Sequence, residues 1–246
     1  MKYLFCITIA LLSCSALFCQ ENVAEDAFLK YTEAEHASTP EERKKGFNEA
    51  LSLYLDVLST SSSGKLYYNI GNCYFQLNEF GFAIYYYYKA LQEMPRDEQV
   101  MTNLNTALAK VGLPPERRTV FDALLSSFEK SLWVLGFFLF AFCFFSLYIW
   151  LPYGAFRWLA HLCLIIGSLL FASLVWQEYF ATRAAVVVRT VSLTRGPGPE
   201  YIMVGDPLLM GLKVRVIEVT AQGNWIKVRA PSGQEGYVSQ ENVRVL

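Results

Sequence analysis

Residues 64–97 read GKLYYNIGNCYFQLNEFGFAIYYYYKALQEMPRD, and this stretch decides the fold of the N-terminal part of the chain. Small residues such as Gly71 and Ala83 alternate with large apolar ones at helical spacing, which favours two helices in close approach. Asn78 interrupts the pattern as a turn. Pro95 ends the second helix because proline lacks the backbone N–H that a helix interior needs. The stretch therefore predicts a helical hairpin.

The residue spacing in this stretch closely resembles the tetratricopeptide repeat, a helix–turn–helix unit. With Gly64 as the first position, the signature positions of that repeat are occupied by Tyr67, Ile70, Gly71, Tyr74, Phe80, Ala83, Tyr87, Ala90 and Pro95. Cys73 stands where such repeats commonly carry alanine, so a packed small residue is expected there. The resemblance implies a solenoid, because one repeat cannot bury its apolar faces alone.

Neighbouring repeats are expected on both sides of the hairpin. Upstream, Phe47 and Ala50 reproduce the spacing of its second helix, whereas the preceding helix, over about 23–36, is divergent. Downstream, an apolar stripe matches its first helix until the chain breaks at 112–115. We therefore predict an α-helical solenoid of two repeats and a terminal helix over 21–112.

Ligands of such solenoids bind on the concave face, which the first helix of each repeat lines. That face is expected to present Lys65, Tyr68, Asn72, Phe75, Gln76, Thr102, Asn103 and Thr106. These side chains are polar and aromatic without a charge cluster, which suits an extended segment of a partner protein. Asn72 and Asn103 occupy two positions of the carboxylate clamp known in some members of the family. Tyr68 stands where the clamp has a lysine, so a clamp is disfavoured.

Four consecutive tyrosines, residues 85–88, cover every side of the second helix. Tyr86 and Tyr87 are assigned to the core of the hairpin. Tyr85 and Tyr88 are not needed to fill that core. Three environments suit their side chains: a partner protein, a lipid interface or the preceding repeat.

Charged residues are nearly absent from two parts of the chain. Residues 1–20 and 131–177 contain only Lys2 and Arg157 as charged groups, whereas 17% of the whole chain is charged. The chain therefore alternates apolar stretches with stretches of ordinary polarity. This mosaic excludes a disordered chain, a coiled coil and a collagen-like fibre.

The apolar stretches predict an export signal and a membrane anchor. Residues 1–20 have the charged start and short apolar run of a signal, and a cleaved signal, an uncleaved anchor and a lipidated Cys14 are all compatible with them. Residues 131–151 and 158–177 are each long enough to cross a bilayer, with an amphipathic juxtamembrane helix expected over 113–130. The sequence therefore predicts a multidomain membrane protein with a two-helix transmembrane hairpin.

A hairpin leaves both flanking modules on one side of the membrane. The signal places them outside, whereas the positive residues near the two spans favour the inside. Long flanking domains cross largely regardless of charge once a signal initiates export, so the signal decides. We expect a multi-pass protein of a bacterial inner membrane with both modules in the periplasm and the lipid bilayer as a partner.

From residue 184 the pattern changes to short alternating strands separated by Gly, Pro and Asn turns, which predicts a small all-β barrel. Three segments, VSLTRGP (191–197), GNWIKV (223–228) and GQEGYV (233–238), resemble the bacterial SH3 domain. The resemblance covers 184–246 and implies an adaptor that binds peptides or cell wall.

Three aromatic residues of this part are candidates for a binding groove: Tyr201, Trp225 and Tyr237. Trp225 and Tyr237 fall on predicted strands, where aromatic residues also serve the core. The sequence leaves these two roles equally open.

Catalytic chemistry is sparse in this sequence. Of six cysteines, only Cys73 lies outside the predicted signal and spans, so no disulfide framework is expected. The two histidines, His36 and His161, lie in no zinc-binding spacing. No Ser/His/Asp set or phosphate-binding glycine loop is present in the predicted soluble parts. We predict a protein without metal, cofactor or enzymatic activity.

The order of modules resembles the E-type proteins of the Bacteroides aerotolerance (Bat) operon, a family of bacterial envelope proteins. The resemblance spans nearly the whole chain as an architecture. It implies a role in the cell envelope or in stress tolerance together with other Bat components, several of which carry von Willebrand factor A domains.

Two functions remain open at this point. The first is a non-enzymatic, membrane-anchored scaffold that binds other membrane or envelope proteins through the helical groove and the SH3 domain. The second is attachment to the cell wall, with the SH3 domain binding peptidoglycan. Nucleic acid is not expected as a partner, because the net charge is -1 and no run of lysine and arginine stands out.

Overall fold

The computed structural model of the protein describes residues 23–117, 183–220 and 224–246, together with scattered positions between 135 and 172. The chain divides into two compact units. One combines Met1–Glu116 with Arg183–Leu246, and the other is Arg117–Thr182. In the second unit, the described positions between 135 and 172 are helical.

Helices form the N-terminal part of the first unit. They are α1, described over residues 23–36, α2 (Pro40–Leu58), α3 (Gly64–Gln76), α4 (Phe80–Glu93) and α5 (Glu98–Lys110). Each buries one apolar face, and the buried residues of neighbouring helices form shared clusters.

Side-chain caps begin three of these helices. At α2, the Thr39 hydroxyl accepts a hydrogen bond from the Glu42 N–H at 3.2 Å, and the Glu42 carboxylate accepts one from the Thr39 N–H at 3.3 Å. The Ser63 hydroxyl and the Asp97 carboxylate accept hydrogen bonds from first-turn N–H groups of α3 and α5. Each such cap contributes about 1 kcal/mol. Asn78, at φ 63°, makes the left-handed turn between α3 and α4, a conformation that asparagine tolerates better than most residues.

Helices α3 and α4 approach each other closely. A Cβ atom at Gly71 would lie 2.7 Å from the ring of Tyr87, so only glycine fits at this contact. Ile70, Ala83 and Ala90 are fully buried beside it. The predicted helical repeat region is therefore confirmed.

An antiparallel sheet follows from residue 184. Its strands are β1 (Ala184–Val187), β2 (Val191–Thr194), β3 (Met203–Leu208), β4 (Lys213–Val219), β5 (Trp225–Arg229), β6 (Glu235–Ser239) and β7 (Val243–Val245), in the order β3-β2-β6-β5-β4-β1-β7. Burial alternates along β5 and β6, so Ile226, Val228 and Val238 enter the core. The predicted all-β part is thus present as an antiparallel sheet domain.

The sheet domain packs directly on α4. Val186 of β1 is fully buried in the same apolar cluster as Ile84 of α4 and Leu104 of α5. Gly81 permits this approach, because a Cβ atom there would collide with the backbone carbonyl of Val188. One apolar cluster therefore includes residues of both the helices and the sheet, whereas the other buried residues of the sheet form a cluster of their own.

Tyr88 lies at the edge of the contact between α4 and the sheet domain. Its hydroxyl donates a hydrogen bond to Glu116 Oε2 at 2.7 Å, and Lys213 Nζ lies 4.0 Å from the centroid of its ring. Lys213 Nζ is also 3.1 Å from Glu116 Oε1. None of the three environments considered for Tyr88 is the observed one, because the chain's own sheet domain covers it.

The predicted membrane location is contradicted. Among the residues that the structure describes, no helix is both long enough and apolar enough to span a bilayer. A span needs about 20 consecutive apolar helical residues, whereas α2, the longest helix with both ends described, has 19 residues and a polar exposed face. The predicted multi-pass inner-membrane location is therefore wrong. The assignment of both modules to the periplasm was derived from that membrane hairpin and loses its basis with it.

The segments behind that prediction fall mostly outside the described residues. The signal at 1–20 does so entirely, and the juxtamembrane helix at 113–130 does so beyond residue 117. The spans at 131–151 and 158–177 are described only at scattered positions.

Replacement of Gly81 by alanine tests the contact between α4 and the sheet. The added methyl group has no space beside the Val188 carbonyl, so the backbone has to shift, and we expect a loss of about 1–3 kcal/mol in the free energy of unfolding. Urea denaturation followed by circular dichroism measures this loss. Gly136→Ala is the control, because a Cβ atom at Gly136 meets nothing within 4 Å. Wild-type stability of the Gly81→Ala protein would contradict the contact.

Candidate functional site

A groove of about 350 Å³ lies on the face formed by α1, α3 and α5. Nine side chains line it: Tyr31, Glu35, Tyr68, Asn72, Phe75, Gln76, Tyr87, Asn103 and Thr106. The structure therefore brings together six of the eight residues predicted for the concave face. Lys65 and Thr102, the other two, are exposed on α3 and α5 without lining the groove.

A hydrogen-bond network connects three helices at this groove. Asn72 Oδ1 accepts hydrogen bonds from the Tyr87 hydroxyl at 2.8 Å and from Asn103 Nδ2 at 3.0 Å. Asn103 Nδ2 also donates to the Tyr68 hydroxyl at 3.0 Å. Since the four side chains come from α3, α4 and α5, the network holds the lining in one arrangement before any ligand arrives.

Three lining residues were absent from the sequence prediction. Tyr31 and Glu35 come from α1, where their spacing of four residues places them on one face of the helix. Applying the concave-face rule to α1 would have found both, but the divergent sequence of that helix hid its register. Tyr87 was assigned to the hairpin core alone; it is 1% exposed, yet its ring also borders the groove.

The groove has one charged lining residue, the exposed Glu35. Burial, with a smaller contribution from the Glu35 carboxylate, raises the pKa of the nearby Tyr31 to about 12. Burial likewise raises the pKa of Tyr87 above its usual value. A tyrosine of ordinary pKa is already neutral at physiological pH, so these shifts leave both phenols as uncharged hydrogen-bonding groups. The carboxylate clamp has no support in this lining, because none of the nine side chains is cationic.

The aromatic candidates of the sheet domain lie outside the core. On β5 and β6, Trp225 and Tyr237 alternate with the buried Ile226 and Val238, so both project from the opposite face of the sheet and are half-buried. Lys227 Nζ lies 6.0 Å from the centroid of the Tyr237 ring on that face. Tyr201 is 46% exposed in the turn before β3.

The sheet domain carries a cavity of its own, of about 450 Å³. It is lined by Asn224, Ser239, Gln240, Glu241, Val243, Arg244 and Val245. None of the three aromatic candidates borders it, so the structure does not gather Tyr201, Trp225 and Tyr237 into one cavity.

Metal-ligating side chains do not gather in the described part of the chain, where no group of three or more His, Cys, Asp or Glu residues is placed to hold an ion. Cys73 is fully buried in the cluster between α2 and α3. Burial raises the pKa of its thiol to about 12. The thiol thus has the environment of a packing residue rather than that of a nucleophile.

We expect Cys73 to resist alkylation in the folded protein. At about pH 8, a thiol of pKa about 12 is ionised in about one molecule in 10⁴, and only the thiolate reacts. Iodoacetamide labelling followed by mass spectrometry of the tryptic peptide 66–89 resolves this cysteine from the others. The denatured protein is the control and should be labelled fully. Equal labelling of the native and denatured proteins would contradict this environment.

Comparison with known proteins supports the assignment of the central hairpin. Residues 64–97 match the family model described as tetratricopeptide repeat. No curated protein is significantly similar to the chain. The matched stretch contains α3 and α4, and with them Tyr68, Asn72, Phe75 and Gln76 of the groove. The chain therefore contains a tetratricopeptide repeat, a module that typically holds protein partners and is typically non-catalytic.

Proposed function

We propose that the protein is a non-enzymatic scaffold that holds an extended segment of a partner protein in the groove of α1, α3 and α5. The observation that carries this proposal is the hydrogen-bonded network of Tyr68, Asn72, Tyr87 and Asn103 along a groove of about 350 Å³. A cavity of this size accommodates a few side chains of a peptide.

The lining has the composition of a protein-binding surface. Tyrosine is enriched where protein interfaces concentrate their binding energy, because a ring buries much area and loses little conformational freedom. Amide side chains such as Gln76 can both donate to and accept from the backbone of an extended chain. A lining that is already ordered also reduces the entropy lost on binding.

The sheet domain packs against α4 without covering the groove, which is compatible with the proposed scaffold function. Tyr88 contacts the sheet domain, whereas the adjacent Tyr87 borders the groove. No residue of the sheet lines the groove. A scaffold built this way holds two recognition surfaces in fixed relation, because Val186 of the sheet is buried in the same apolar cluster as α4 and α5.

We further propose that the sheet domain is of the bacterial SH3 type and that the partners are envelope proteins. The segments 191–197, 223–228 and 233–238 support the first part of this proposal. Bat components with von Willebrand factor A domains are the partners implied by the resemblance in module order.

Crosslinking in intact cells, followed by identification of the captured proteins, tests the groove. We expect the double variant Tyr68→Ala/Gln76→Ala to lose at least one neighbour captured by the wild type, with recovery reduced about tenfold, since an interface hot spot contributes about 1.4 kcal/mol or more. The matched control is Lys65→Ala/Thr102→Ala, which alters exposed side chains on α3 and α5 outside the groove. An unchanged set of neighbours in the groove variant would reject the proposal.

Attachment to peptidoglycan is a second candidate, which the shared outer face of Trp225 and Tyr237 favours. Two aromatic faces on adjacent strands provide a surface on which sugar rings can stack. We expect the full chain to sediment with purified murein and the Trp225→Ala/Tyr237→Ala variant to stay in solution. Ile202→Ala, at a residue 75% exposed in the same domain, is the control. A wild-type chain that stays in the supernatant would remove this candidate.

A further inference from the structure

We infer that the groove selects its partner segment by a positively charged side chain, lysine or arginine. This inference rests on the proposed function and names the chemistry of the ligand at the same site. It is carried by the charge of the lining, by its aromatic rings and by the direction of its hydrogen bonds.

The charge of the lining has one sign. Glu35 is the only ionised side chain among the nine, and within the described part of the chain no ion pair engages its carboxylate. An acidic segment would meet a like charge and find no cation in the lining. A basic segment would place an ammonium or guanidinium group beside a carboxylate that meets the neutral Tyr31 hydroxyl but no cation among the described residues. This placement gives a charge-assisted hydrogen bond.

The rings in the lining strengthen this preference. Tyr31, Tyr68 and Phe75, which are half-buried, border the same cavity as Glu35. A cation is attracted to the negative face of an aromatic ring, and the attraction grows as water is displaced. The long apolar stem of lysine or arginine also packs well between rings while its charged end reaches the rim.

Hydrogen bonds already made within the protein use up some of the donors of the groove. Thr106 donates its hydroxyl hydrogen to the Thr102 carbonyl at 2.8 Å, so its oxygen can only accept from a ligand. Asn103 Nδ2 is committed to Asn72 and Tyr68. These bonds reduce the donors left for a carboxylate and leave acceptors at Glu35 and Thr106. Lysine and arginine carry only donors at their charged ends, which fits this arrangement.

Selection from a random heptapeptide phage library on the immobilised full-length protein tests the inference. We expect peptides that bind to be enriched about threefold or more in lysine or arginine at one position relative to the unselected library. For the best peptide, replacement of that cation by alanine should weaken binding about tenfold, as measured by fluorescence polarisation. Added salt should weaken binding of the parent peptide more than that of the alanine peptide.

Two exposed glutamates of α1 provide the matched variants. Glu35→Gln should weaken the parent peptide about three- to tenfold and should leave the alanine peptide unchanged, whereas Glu33→Gln should leave both unchanged. Glu33 is 65% exposed and pairs with Lys30 at 2.7 Å, so its loss controls for a change in net charge. Equal effects of the two variants would overturn the inference.

Failure of this inference is distinguishable from failure of the proposed function. Peptides enriched in acidic or neutral residues whose binding is lost in Tyr68→Ala/Gln76→Ala would overturn the cation preference and leave the groove as a peptide site. Peptides that bind that variant as well as the wild type, or a selection without any binder, would count against both.

Discussion

Helix α4 contacts α3, α5 and the sheet, and the rest of the structure depends on these contacts. Every residue from Phe80 to Leu91 is buried or half-buried, so this helix is stable only with neighbours packed around it. Gly71 lets α3 lie against Tyr87, and Gly81 lets the sheet approach at Val188. Helix α5 covers a further side through Leu104, and Val186 joins the same cluster from β1. One helix thereby holds a repeat module and a sheet domain in a single compact unit.

The hydrogen-bonded side chains at the groove are held in place by the packing of α4. Tyr87 packs its ring in the core and donates its hydroxyl to Asn72, which in turn accepts from Asn103. Burying a phenol without a partner is costly, so the bond both satisfies the hydroxyl and fixes the amide of Asn72. Core packing therefore also orders the groove surface that a ligand would meet. The same contacts of Tyr87 stabilise the fold and fix the shape of the groove.

Some of these features were accessible from the sequence and others were not, for physical reasons. The positions on α3 and α5 follow the repeat spacing, so Tyr68, Asn72, Phe75, Gln76, Asn103 and Thr106 could be placed on one face. Tyr31 and Glu35 lie on a helix without that signature, and local spacing gave no register for them. The predicted membrane location is wrong because apolar composition alone does not establish a span, and the described helices are neither long nor apolar enough for one.

The sequence by itself determined the local elements: the hairpin of 64–97, the antiparallel strands after residue 184, and the turn at Asn78. These follow from short-range periodicity and from residues that start or end helices. Only the tertiary structure decided that the sheet domain packs on α4, that Tyr88 meets Lys213 and Glu116, and that Glu35 joins the groove. Glu116 and Lys213 lie far apart in the chain, and no periodic pattern connects residues whose proximity results from packing alone.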